Sequence, residues 1–143
     1  MIIEQVKVDQ FKEMNSRSEV YLWHFVQPYS YKHLYGFESY FREHRFVNET
    51  IPFLESIKID YFETFVEEGV DFLLRVGIPE KIIWQNRHFS PIVLLYKNGI
   101  YRASTNSTIS KVTGKSYCHC AEGITQMLIE HVPEIIEKSF FNQ

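Results

Sequence analysis

Asn98-Gly99 stands between two runs of strand-forming residues, Ile92 to Tyr96 and Ile100 to Ser104. Both residues tolerate positive φ, which a type I′ turn demands at its two central positions, so the pair predicts a two-residue β-hairpin. An isolated hairpin is not stable in water, so this one needs further strands and a helical cover. Val20 to Val26 reads Val-Tyr-Leu-Trp-His-Phe-Val, β-branched and aromatic up to Gln27-Pro28, and predicts a strand. Ile3, Val6 and Val8 suggest a short opening strand.

Three helices are expected. Beyond Gly36, residues Phe37, Tyr40, Phe41 and His44 recur at three- and four-residue spacing, giving a helix over about 37–47 with Glu38, Arg42 and Arg45 toward water. Asp60 can cap a second helix over 61–76, because Glu63 stands in capping-box position ahead of an apolar stripe of Phe62, Phe65, Val66, Val70 and Leu73. Gly77 and Pro79 would end it. A third runs over 121–140 through Ile124, Met127, Leu128 and Ile135, and Pro133 must kink it or open a second segment. The expected class is α+β: one small domain over residues 1–143, with an antiparallel sheet that includes the 92–104 hairpin packed against these helices.

At 143 residues the chain can bury about two-thirds of its unfolded surface without metal or disulfide staples. A formal net charge of −3 gives no global attraction to nucleic acid or to an anionic membrane. The two cysteines, Cys118 and Cys120, are too close in sequence for an unstrained bridge, and Met1 to Lys7 carries no basic region ahead of an apolar run. Reduced thiols and a cytoplasmic protein follow as expectations, with nucleic acid and membrane disfavoured as partners.

The densest group of reactive side chains is Cys118-His119-Cys120-Ala121-Glu122. Thiolate and imidazole are zinc ligands, and a carboxylate at a helix start can move protons to and from a metal-bound water. A hairpin leading through a polar loop to Cys-Ala-Glu resembles part of the cytidine deaminase family. That resemblance implies Cys120 as a zinc ligand and Glu122 as proton shuttle, with Asn106 on the substrate side; the remaining ligands would have to be replaced by Cys118, His119 or the distant His24, His33 or His88. It covers roughly residues 92 to 130, and the family's downstream Pro-Cys-x-x-Cys is absent here. Thr113-Gly114-Lys115-Ser116 resembles the end of a phosphate-binding loop, but residue 109 is Ile where that loop needs Gly.

Two surfaces suggest recognition. Residues 11 to 46 hold an unusual density of aromatics, and Trp23, Tyr29, Tyr31 and Tyr35 could offer large contact area with polar tips. Glu55, Asp60, Glu63, Glu67, Glu68 and Asp71 face only Lys58, an acidic stretch suited to a basic protein partner. With no complete catalytic motif, the expected function is a small binding or inhibitory module without a cofactor, of the immunity, antitoxin or phage-antagonist kind. The alternatives are a zinc-dependent hydrolase using Glu122, His119, Cys118 and Cys120, and a protein that sequesters a small ligand.

Overall fold

Strands β1 (Ile3–Gln5), β2 (Val20–Val26), β3 (Asp60–Phe65), β4 (Ile92–Lys97) and β5 (Ile100–Ser104) form one sheet in the spatial order β1-β3-β2-β4-β5. The computed structural model describes residues 1–26, 32–65 and 92–141. β3 lies parallel to β1 and to β2, whereas β4 runs antiparallel to both β2 and β5. Helices α1 (Phe11–Arg17), α2 (Lys32–Ile57), α3 (Ala121–His131) and α4 (Pro133–Phe141) complete the described elements, with a 3-10 turn at Val8–Gln10.

Side-chain alternation along the strands divides the core in two. Tyr21, Trp23 and Phe25 of β2 join Phe62, Ile92, Leu94, Tyr96 and Met14 of α1 on one face. Leu22, Tyr61, Val93 and Leu95 point to the other, where Phe46 and Leu54 of α2 and Ile124, Met127 and Leu128 of α3 cover them. β4 is buried on both sides, which is why its sequence reads as a continuous apolar run rather than an alternation.

The hairpin forms as expected, with Asn98 at φ 53° and Gly99 at φ 75°, the two positive values of a type I′ turn. β2 and the start of α3 also match, and Val132 separates α3 from α4 so that Pro133 opens its own helix. The fold is α+β, but the sheet is mixed rather than antiparallel throughout.

Two expected helices are corrected. The helix placed at 37–47 is a 26-residue helix that starts at Lys32, contains Gly36, and carries Pro52 inside it. The helix placed at 61–76 is instead strand β3 over its first part, and residues 66–91, with Val66, Glu67, Glu68, Val70, Asp71 and Leu73, lie outside the described residues. Asp60 caps nothing: its carboxylate accepts hydrogen bonds from Ile2 N at 2.7 Å and from Ser18 Oγ at 2.5 Å, tying β1 and the end of α1 to β3. Among the described residues no helix is long and apolar enough to cross a membrane.

Candidate thiol site

The chain reaches α3 through a sharp reversal. Cys120 N–H donates to Cys118 O at 2.9 Å, an i to i+2 bond that closes a γ-turn around His119. The turn sends the two cysteines outward, with Cys118 exposed and Cys120 half-buried, and turns the His119 ring inward until 7% of its surface remains accessible. Cys120 is then the N-cap of α3, and its Sγ accepts the Gly123 N–H at 3.3 Å. Ordinary N-caps use oxygen; here sulfur takes one of the unpaired N–H groups of the first turn. The reversal packs so tightly that a Cβ at position 123 would stand 1.8 Å from Cys118 O, which explains the glycine.

A cleft of about 370 Å³ opens over this turn, lined by Cys118, His119, Cys120, Ala121 and Glu122 on one side and Arg45, Phe46 and Glu49 of α2 on the other. Arg45 Nε donates to Glu49 Oε1 at 2.9 Å. The Arg45 guanidinium is held above its ordinary value first by Glu49, and the charge of Cys120 adds to the effect. The mouth of the cleft thus combines a helix N-terminus and one cation beside Cys120, features that favour negative charge on a bound or reacting group.

Beneath the cleft the histidine is built into the core. His119 Nδ1 lies 3.1 Å from Thr105 Oγ1, and its ring stacks on Phe46 with centroids 4.1 Å apart and planes at 11°. His24 of β2, fully buried, packs against Phe46 from another side and against His119 at 5.1 Å between centroids. The loop that delivers the turn is held by Glu130 of α3, which accepts hydrogen bonds from Ser110 Oγ at 2.7 Å, Lys111 N at 2.9 Å and Gln126 Nε2 at 2.8 Å. Burial works against the Glu130 carboxylate, but the bonds from Ser110, Gln126, the Lys111 N–H and Tyr117 together lower its pKa to about 2. Tyr117 is correspondingly pushed up to about 12, by burial first and then by Glu130.

The structure brings Cys118, His119, Cys120 and Glu122 to one cleft and separates the other sequence candidates from it. Trp23 is fully buried and donates Nε1–H to Thr64 Oγ1 at 2.8 Å, so it fills the core rather than a surface. Tyr29, Tyr31 and Glu67 lie outside the described residues, while Tyr35 falls within α2. Glu63 is on β3, where its carboxylate accepts the Tyr61 hydroxyl at 2.8 Å, and Asn106 sits exposed in a left-handed turn at φ 63°. Arg45 and Glu49 join the cleft unannounced, since their i, i+4 spacing on a helix reads as a solvated ion pair. Tyr61 was equally invisible, because only the pairing of β3 with β2 brings it beneath the turn.

No family model and no curated protein matches the chain. Among solved structures, thioredoxin f2 of Chlamydomonas reinhardtii is similar over 92% of this chain and 97% of that one, with a TM-score of 0.54 and 10% identity. The fold neighbours are thioredoxin-like. The zinc-bound form of human ERp44 is similar over 90% of this chain at a TM-score of 0.53 and 11% identity, and the match spans 31% of that longer chain.

These neighbours overturn the expected inhibitory module of the immunity, antitoxin or phage-antagonist kind, which rested on the missing catalytic motif, the aromatic-rich segment and the acidic stretch. Of its acidic stretch, Asp60 and Glu63 lie on strand β3 rather than on a helix, and Glu67, Glu68 and Asp71 lie outside the described residues. Among the described residues no three His, Cys, Asp or Glu side chains are grouped to hold a metal ion. His119, one of the candidate ligands, is turned into the core against Thr105 and Phe46.

Proposed function

We propose that this chain acts by thiol–disulfide exchange at the Cys118-His119-Cys120 turn. The observation that supports the reading is the joining of the chain's two thiols on one γ-turn at a helix N-cap, opening to a cleft with Arg45 at its rim. Cys120 is the nucleophile, its sulfur facing the Gly123 N–H and the field of Arg45. As a thiolate it attacks one sulfur of a disulfide, the S–S bond breaks, and the departing thiolate takes a proton. Cys118, the exposed thiol, loses its proton and attacks Cys120 Sγ in the mixed disulfide, releasing the second thiol and leaving Cys118 bridged to Cys120. The fold neighbours lend support as carriers of the same architecture.

Dithiol exchange sites commonly use Cys-X-X-Cys, whereas one residue separates the cysteines here. The shorter loop strains the bridge, and strained disulfides are the easily reduced ones, so the oxidised chain is a good oxidant and the dithiol is its resting state. A reducing compartment such as the cytoplasm suits that resting state.

The test is intact-mass spectrometry of the full chain treated with oxidised glutathione. The expected product has lost two hydrogens, and Cys118→Ser instead stops at a glutathione adduct on Cys120. Stable adducts on both cysteines of the unsubstituted chain, with no bridged product, would exclude exchange through this pair.

A further inference from the structure

The turn between Cys118 and Cys120 is held at both ends. The Cys120 N–H donates to Cys118 O at 2.9 Å, the Gly123 N–H donates to Cys120 Sγ at 3.3 Å, and Gly123 packs directly against the Cys118 carbonyl. Both thiols line the same cleft, whereas the ring of His119 between them is turned inward onto Phe46 and Thr105. The turn therefore offers two sulfur ligands side by side and withholds the imidazole. Among the described residues no group of three His, Cys, Asp or Glu side chains is placed to hold a metal ion, so whatever binds here must be satisfied with the two thiols.

Two thiolates without a third ligand suit one class of metal ion. Zinc takes four ligands in closed sites and three protein ligands in open ones, and calcium and magnesium take oxygen. Thiolate sulfur selects the soft monovalent ion Cu(I), for which two such ligands suffice. The spacing also favours a metal over a disulfide. A disulfide holds its sulfurs about 2.05 Å apart, which strains a ring with one residue between the cysteines, whereas two metal–thiolate bonds of about 2.3 Å, the zinc value, let them stand up to roughly 4.6 Å apart. We infer that Cys118 and Cys120 chelate one Cu(I) ion. Binding forms two Cu–S bonds and sends the two thiol protons to water, with no electron transferred. One negative charge then remains on the ion and its two thiolates together. It stands at the N-terminus of α3, where the helix dipole and Arg45 favour it and Glu49 and Glu122 oppose it. The Gly123 N–H can stay on Cys120 Sγ, since a metal-bound thiolate keeps lone pairs to accept it. The copper site shares its thiols with disulfide exchange but does not depend on that chemistry.

The test titrates the reduced full-length chain and its Cys118→Ser and Cys120→Ser variants, without oxygen, into the Cu(I) complex of bicinchoninate. Cys118 is exposed, and serine at position 120 keeps an N-cap acceptor for Gly123, so both variants retain the fold. The parent chain is expected to take one Cu(I) from the chelator, read as lost visible absorbance. Native mass spectrometry is expected to show one copper and two fewer hydrogens on a single chain. Each variant is expected to bind more than about a hundredfold more weakly, beyond the roughly 10–100-fold that loss of a supporting group costs. X-ray absorption at the copper edge is expected to show sulfur neighbours and no imidazole nitrogen. A serine variant that binds as the parent does, an imidazole in the copper shell, or one copper shared between two chains would each overturn the site. A chain that holds Zn(II) as tightly as Cu(I) would overturn the choice of metal. The glutathione test above fails separately. A chain that bridges its cysteines yet leaves Cu(I) on the chelator loses the copper site alone, and one that binds Cu(I) yet ends with two glutathione adducts loses the exchange reading alone.

Discussion

Gly123 meets Cys118 backbone to backbone: a Cβ placed on the glycine would lie 1.8 Å from the Cys118 carbonyl oxygen and 2.6 Å from its carbonyl carbon. No side-chain rearrangement relieves a clash between two main chains. Gly123→Ala therefore either moves the first turn of α3 or opens the γ-turn, at a cost of about 3 kcal/mol, the upper end for overpacking a well-filled site. Urea unfolding would show this as a lower midpoint, together with altered alkylation of Cys120. A variant as stable and as reactive as the parent would mean that the two segments do not pack as described.

The Arg45 side chain is mostly exposed, at 78%, so its influence on Cys120 acts through solvent and is screened by ions. Arg45→Ala is expected to slow reaction at Cys120 by about fivefold or less in dilute buffer, with the difference vanishing in molar salt. Alkylation rates at two ionic strengths are the measurement. A difference that persists in high salt would show that the arginine acts by shaping the cleft rather than by charge.

Thr64 joins both edges of the parallel half of the sheet. Its hydroxyl receives the Trp23 indole N–H at 2.8 Å and donates to Val6 O at 2.9 Å, all within the core. Thr64→Val preserves shape and strands both partners, so a loss of about 2–4 kcal/mol is expected from two unsatisfied buried groups. Denaturant titration, with Trp23 fluorescence as one probe, measures it. A neutral substitution would show that water or a shifted partner replaces the hydroxyl.

Glu130 gives the fold an acid-sensitive fastening. Its carboxyl is lowered from 4.5 to about 2 in the folded chain, so the stability it contributes is complete above pH 4.5 and is lost as the pH falls toward 2. Glu130→Gln is expected to be less stable than the parent at pH 7, with the gap closing through that window. Melting temperatures of both chains between pH 7 and pH 2 decide the matter, and a gap that stays constant would exclude the carboxylate as its source.

Some of this architecture is written locally. The Asn98-Gly99 turn, strand β2, the helix that starts after Cys120 and the break at Pro133 all follow from backbone preferences of a few adjacent residues, and those act wherever the segment lies. The same local rules fail at Asp60–Phe65. An acid three residues before Glu63 reads as a capping box, yet the carboxylate of Asp60 is used by Ile2 and Ser18, which are distant in sequence. β3 is a central strand with Tyr61 buried on one face and Phe62 on the other, so it shows no alternation by which a strand could be recognised.

The candidate site divides in the same way. Cys118-His119-Cys120 ahead of a helix is visible in the sequence because the N-cap position and the spacing of the thiols are properties of neighbouring residues. The rest depended on tertiary structure: Arg45 reaches the cleft because α2 crosses that face, and His24 lies under His119 because β2 is interior to the sheet. Glu63 connects to His24 because β3 inserts beside β2 in parallel, pairing those two residues across the ladder. A sequence specifies short-range torsional choices residue by residue, whereas which strands become neighbours is decided by burying two apolar faces at once, a choice that no local segment encodes.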